Sequence, residues 1–219
     1  MRVLLTGFLS FCIYWSLGCN NIQKQKNYFT KHNLTGDIKE LTEFEYNAIS
    51  KFGKPEKDTL EKNTVQKFDN GGKLVEENKY EMDGRLERKI IYSYDINDKE
   101  VEQKAYGMNG NLIQTYFSKY DKKGLLVDWK NMGSNGSLYQ GHSCTYDMKN
   151  NLIEINNYDN NGVTTKDNYN NDNNGKPVEM LVYNKRGDLV EKHIYAYDVK
   201  SNLSERTIYS YGVRLEKSV

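Results

Sequence analysis

Aspartate recurs along this chain with a period near 26 residues: Asp69, Asp95, Asp121, Asp147, Asp172 and Asp198 stand at successive spacings of 26, 26, 26, 25 and 26. Five of the six follow an aromatic residue, namely Phe68, Tyr94, Tyr120, Tyr146 and Tyr197. Seven residues after each comes an acid: Glu76, Glu102, Asp128, Glu154, Glu179 and Glu205. Eleven after come Tyr80, Tyr106, Met132, Tyr158, Tyr183 and Tyr209, and fifteen after come Gly84, Gly110, Gly136, Gly162 and Gly187. A chain of this kind is a run of copies of one small unit, and each copy can bury its apolar residues only against its neighbours.

Each period holds two turn signals separated by strand-length runs. The first is aromatic-Asp-x-x-Gly-x-Leu, as in Phe68 to Leu74 and Tyr120 to Leu126. Its Asp can accept a backbone N–H two residues on, and its Gly can enter the left-handed region that closes the turn. The second is Asp83-Gly84, Asn109-Gly110, Asn135-Gly136 or Asn161-Gly162, a strong short-range hairpin signal. The expected fold is all-β: tandem 26-residue antiparallel β-hairpin repeats forming an extended twisted or spiralling meander sheet. If the second turn carries a glycine bulge, position offsets within a repeat sum to 28 across the hairpin. Tyr80 then meets Leu86, Val75 meets Ile91, His142 faces Asp128 and His193 faces Glu179. Neither face is cleanly apolar in that register, which suits a sheet wet on both sides.

The run Tyr-Asp-x-x-Gly-Asn-Leu followed by Glu and Tyr resembles the YD, or RHS-type, repeat family, and the likeness extends from about Phe68 to Tyr211. Asp147 to Glu154 and Asp198 to Glu205 fit it with polar residues at the glycine position. Leu34 to Lys39 with Phe44-Glu45-Tyr46 resembles the opening of small repeat lipoproteins of unknown function in Gram-negative bacteria. Large YD proteins build hollow β-shells around toxins, with many repeats, an Asp-Pro plug motif and a toxin tail. Six repeats without Asp-Pro imply no such enclosure. Two departures matter: Asp98-Lys99-Glu100 replaces Gly-x-Leu in the second repeat, and Pro177 replaces Leu in the fifth, whose Asp172 comes one residue early after Asp147. A bulge or a strand start is expected near Pro177, with an irregular sheet from Asn168 to Pro177.

The N-terminus carries a different signal. Arg2 precedes the charge-free run Val3 to Trp15, the length of a signal-peptide core and too short to span a bilayer as a helix. Ser16-Leu17-Gly18-Cys19 resembles a lipobox, which implies cleavage after residue 18 and lipidation of Cys19. The chain therefore divides into a signal peptide (1–18), lipidated Cys and polar tether (19–33), an N-terminal β capping segment (34–67) and six hairpin repeats (68–219). Localisation to the cell envelope follows, anchored to the outer membrane. The periplasmic side is expected, because no acid follows Cys19 until Asp37 and, in the lipoproteins it resembles, early acids are surface-export signals.

Loss of Arg2 leaves 30 basic against 30 acidic side chains, with no basic run, so nucleic acid is not an expected partner. The expected partners are a protein or glycan of the envelope and, through lipid, the membrane. After cleavage and acylation Cys144 is alone, so there is no disulfide framework, and it reads as a small strand residue. His142 and His193 beside carboxylates would form a general-base arrangement with raised pKa, and a hydrolase using either is one alternative. No Ser-His-Asp, Cys-His, phosphate-loop or metal-ligand pattern accompanies them. An acid present in every repeat reads as structural, since catalysis needs one unique constellation. The expectation is a non-enzymatic binding or assembly scaffold, without cofactor, metal or catalytic residues. The residues put forward for binding are Tyr80, Tyr106, Tyr158, Tyr183 and Tyr209, because exposed tyrosines offer rigid amphipathic surface to glycans or proteins.

Overall fold

The computed structural model describes residues 37–211. The signal peptide, Cys19 and the whole tether lie outside them, as do the first three residues of the capping segment and the end of the sixth hairpin. Thirteen strands follow one another: β1 (Glu40–Lys51), β2 (Lys54–Phe68), β3 (Leu74–Tyr80), β4 (Leu86–Tyr94), β5 (Glu100–Tyr106), β6 (Leu112–Tyr120), β7 (Leu126–Gly133), β8 (Leu138–Tyr146), β9 (Leu152–Asp159), β10 (Gly162–Asn171), β11 (Pro177–Asn184), β12 (Leu189–Tyr197) and β13 (Leu203–Ser210). Their order in the sheet is their order in the chain. The expected all-β meander of hairpin repeats is therefore what forms. β1 and β2 occupy the part expected to cap it. Two compact units are distinguished, one of 37–118 with Asn131–Ser137 and one of Lys119–Lys130 with 138–211.

The turn chemistry explains the period. In all six repeats the Asp Oδ1 accepts two backbone N–H groups, from the residues two and four further on, at 2.8–2.9 Å. The third residue after the Asp takes a left-handed φ: Gly72, Gly124 and Gly175 at 77–80°, and Asp98, Asn150 and Ser201 at 64–69°. The polar residues standing where glycine belongs thus adopt glycine's conformation, which Asp and Asn tolerate better than other L-residues. The preceding aromatic has its own task. Tyr94, Tyr146 and Tyr197 each donate a hydroxyl hydrogen bond to the carbonyl that begins the previous strand (Leu74, Leu126, Pro177), at 2.6–2.8 Å, and so close the hairpin's open end. Asn171, which replaces the aromatic, donates from Nδ2 to Leu152 O at 2.8 Å.

The register departs from expectation by one residue. Tyr80 pairs with Leu86 as the offset sum of 28 requires, but a bulge follows, and Lys79 pairs with Arg88 and Glu76 with Ile91. Val75 is therefore not opposite Ile91. The bulge accommodates the extra residue left by the left-handed glycine at the turn, and one residue of slip moves every later pair to the other face. The irregularity expected between Asn168 and Pro177 is present. A bulge separates Asn170 from Asn171, which pairs with Pro177 at the start of β11, and the same bulge recurs before Asp69, Asp95, Asp147 and Asp198. The missing residue is absorbed at the β9–β10 turn, where Asp159 pairs with Gly162 around a two-residue loop.

Burial is spread thinly. In the unit containing β8 to β13, Cys144, Leu152, Ile155, Tyr169 and Met180 form a buried cluster with Tyr146, Val182 and Tyr195 against it. Cys144 is thus the small buried strand residue its context suggested. In the other unit Phe68 and Ala105 are buried beside the polar Gln66, Asn78 and Thr115. Polar groups at this depth need partners: Gln66 Nε2 donates to Glu77 at 2.9 Å and Asn78 Nδ2 to Glu76 at 2.8 Å.

Candidate functional site

The repeated acids sit in a recurring row that crosses three strands. Position twenty of a repeat is Lys89, Lys192 or, one place early after the shortened turn, Lys166. Each bonds its own repeat's acid: Lys89 to Glu76 at 2.8 Å, Lys166 to Glu154 at 2.6 Å and Lys192 to Glu179 at 2.5 Å. Each also pairs directly with the position-eleven tyrosine of the next strand, as Lys89 with Tyr106, Lys166 with Tyr183 and Lys192 with Tyr209. Burial raises the Glu76 pKa, but hydrogen bonds from Lys89, Asn78 and Lys67 outweigh it and hold the carboxyl down at about 2. Hydrogen bonds from lysine likewise lower Glu154 and Glu179.

The third repeat breaks this row in a way that completes it. Its position twenty is Gly141, and the paired Tyr158 passes over the glycine to place its hydroxyl 2.5 Å from Asp128 Oδ1 and 3.5 Å from Trp129 O. Burial and the Asp128 carboxylate push the Tyr158 phenol up. Of the five tyrosines put forward for binding, Tyr80, Tyr106, Tyr158 and Tyr183 are half-buried, and Tyr209 is exposed at 52%. The lysine row was not anticipated, although Lys at position twenty is visible in three of the repeats.

The histidines are placed differently from expectation. His193 pairs with Met180, not Glu179, because of the one-residue bulge. It is only 3% exposed. Its Nε2 lies 2.8 Å from Glu191 on its own strand, and its Nδ1 lies 2.8 Å from Arg206 Nη2. Arginine can only donate, so Nδ1 accepts and the ring proton sits on Nε2, given to Glu191. His142 stacks on Trp129 with ring centroids 5.2 Å apart and planes at 20°. Burial lowers its pKa, against a smaller upward pull from Asp128, so the expected rise does not occur.

Near His193, on the same face, lies Asp167. It pairs with Ile155 on one side and Val182 on the other, and Oδ2 accepts from Asn157 Nδ2 at 3.2 Å. Burial raises its pKa to about 6, opposed by the Asn157 bond and by His193, while Glu191 adds to the rise. A raised carboxyl contributes stability that is complete below its ordinary pKa, near 4, and is lost as pH climbs through 6. Asp167→Asn is therefore expected to raise the melting temperature at pH 8 by a few degrees and to change it little at pH 4. Equal shifts at the two pH values would mean that Asp167 is not a buried titrating group.

Among the described residues no group of three or more His, Cys, Asp or Glu is placed to hold a metal ion, and no helix is long and apolar enough to cross a membrane. The arrangement is one of ion pairs and hydrogen bonds that join adjacent strands.

No family model matches the chain, and no curated protein matches it. Among solved structures, the TcdB2-TccC3-Cdc42 complex is similar at 15% identity and a TM-score of 0.42, over 81% of this chain and 11% of that one. The Tc holotoxin pore of Photorhabdus luminescens is similar at 14% identity and a TM-score of 0.41, over 80% and 11%. A porin-like protein from Bacteroides uniformis is similar at 9% identity and a TM-score of 0.40, over 79% and 85%. The chain thus spans about a ninth of the toxin-complex chains it matches. Likenesses at this level carry no functional inference.

Proposed function

We propose that the chain is a YD-type repeat lipoprotein of the bacterial envelope, held to the outer membrane by lipid on Cys19 and facing the periplasm. It acts without catalysis, as a scaffold on which a protein or glycan partner lies along several repeats. The observation that carries this reading is the use of the repeated polar groups. The turn aspartates bind backbone N–H groups and the position-seven acids are bonded within the sheet by lysine, tyrosine, asparagine or threonine, so neither set is spare for chemistry. The hydrolase alternative finds little support in His193, whose two ring nitrogens are both engaged and which is 3% exposed. A glycan module built on the position-eleven tyrosines would have to use rings that are half-buried, apart from Tyr209.

Two variants test it in the native membrane. Cys19→Ser is expected to leave an unprocessed or unacylated form that is lost from the membrane fraction, since the lipobox thiol is the acceptor for lipid. Normal processing and retention of Cys19→Ser would refute the anchor. His193→Ala is expected to leave the protein's partner binding in place. A hydrolytic activity of the purified chain that disappears in His193→Ala or His142→Ala would overturn the scaffold reading.

A further inference from the structure

The six Asp turns are not alike; they alternate. The β2–β3, β6–β7 and β10–β11 turns have a polar residue after the Asp (Asn70, Lys122, Asn173) and close on glycine. The β4–β5, β8–β9 and β12–β13 turns have an aliphatic residue or methionine there: Ile96 at 97% exposure, Met148 at 97% and Val199 at 103%. These tips contribute nothing to a core. Each has a lysine within three residues, Lys99, Lys149 and Lys200.

The apolar turns are also braced. Lys73 Nζ bonds Asp98 Oδ1 at 2.5 Å, Lys123 Nζ bonds Asn150 Oδ1 at 2.8 Å, and Lys176 Nζ bonds Ser201 O at 2.6 Å. Every apolar turn is thereby tied to the polar turn before it. Such bracing lowers the ordering cost of presenting a tip to a partner.

The third observation is where the chain comes in. In the unit of β1 to β6, the chain joins β1 beside the β2–β3 turn: Lys39 O accepts the Phe68 N–H at 3.0 Å, and Lys39 Nζ donates to Asn70 Oδ1 at 2.6 Å. The next turn along the same sheet edge is the one tipped by Ile96. The described chain therefore begins at the edge formed by Asp turns, and the opposite edge is a strand length away.

We propose that the apolar Asp turns are membrane-surface contacts. In one unit Ile96, and in the other Met148 and Val199, enter the headgroup region of a phospholipid bilayer, with Lys99, Lys149 and Lys200 on anionic headgroups. Met148 and Val199 are four strands apart along their edge, about 19 Å at the usual strand spacing, so each makes a separate contact. Shallow insertion of apolar side chains beside cations is the chemistry of interfacial binding, and a lipid chain supplies the second signal that makes it stable. This inference rests on the reading of Cys19 as lipidated.

The full-length protein, purified from its own membrane, is reconstituted on vesicles of phosphatidylethanolamine and phosphatidylglycerol, with and without bromine on the acyl chains. Ile96→Trp, Met148→Trp and Val199→Trp report insertion. Phe52→Trp, fully exposed at the β1–β2 turn on the opposite edge, is the control. Brominated lipid is expected to quench the three tip tryptophans about twofold more than the one at position 52. Equal quenching at all four positions, quenching only at position 52, or none at all would overturn the contact. The anchor is read separately from the intact mass at Cys19. Acylated protein with unquenched tips sinks the contact and leaves the anchor standing. Protein without acyl chains sinks the anchor, and the same quenching on sedimented vesicles still decides the contact.

Discussion

Gly141→Ala is expected to destabilise the protein by about 2 to 4 kcal/mol, lowering the melting temperature by roughly 5 to 10 °C for a chain of this size. A Cβ at Gly141 would stand 2.5–2.6 Å from the Tyr158 ring and 2.7 Å from Trp129 O. The carbonyl is backbone held in the sheet and cannot move away alone. Tyr158 must therefore tilt, which breaks its 2.5 Å bond to Asp128 and leaves that carboxylate with Lys130 at 3.2 Å. Gly107→Ala is the control, because its nearest contact would be Ile113 at an ordinary 3.6 Å and its φ is not in the left-handed region. Urea denaturation of both variants measures the difference. Tyr158→Leu should make Gly141→Ala milder, since the ring that obstructs it is gone. A full-sized loss from Gly141→Ala in that background would place the cost on the approach to Trp129 O and not on the ring.

Why Gly141 is glycine could not be read from the turns. Its cause lies across strands, in the absence of the lysine that occupies this row in the first, fourth and fifth repeats. Local chemistry was legible because it repeats: the Asp that accepts two N–H groups, the left-handed closing residue and the alternation of turn with strand all act within five residues. Position eighty paired with eighty-six as the turn geometry demanded. Beyond the bulge the same reasoning failed by one residue, because a periodic sequence states how often a bulge occurs and not on which side of the closing pair it falls. One slip reversed the faces, and with them the partners of both histidines.

The shortened fourth repeat was legible in part. The bulge and the strand start expected near Pro177 are both there, and a proline that opens a strand withholds no ladder donor that the sheet needs, but the missing residue itself is absorbed one turn earlier. The turn at Asp159 was free to lose a residue because a two-residue hairpin is itself a favourable geometry. At the candidate site, sequence reasoning found each acid and each tyrosine and missed the lysine that stands between them. The signal was a cation at position twenty in three repeats, faint beside an acid present in all six.

Deleting one whole period, Asp121 to Tyr146, is expected to leave a folded β-sheet, while deleting half a period from Asp121 onward abolishes it. The whole deletion joins Tyr120 to Asp147, so an aromatic still precedes a turn aspartate and the side-chain alternation stays in phase. The half deletion joins Tyr120 to Ser134 and sends every later strand out of register with its neighbour. Far-ultraviolet circular dichroism and thermal melts separate the two. The shorter fold will carry a specific defect, because Tyr158 comes to face Thr115, the position-twenty residue of the second repeat, in place of Gly141. Asp128 is gone with the deleted segment, so its hydroxyl has lost its acceptor. Thr115→Lys in the deletion rebuilds the recurring row from Glu102 through lysine to Tyr158, and is expected to recover about 1 kcal/mol. In the intact chain the position-eleven residue of the following repeat is Met132, and the same substitution should gain nothing. Recovery in both backgrounds would mean that lysine helps by exposure or propensity alone; recovery only in the deletion would establish that the row, more than any one pair within it, joins hairpin to hairpin.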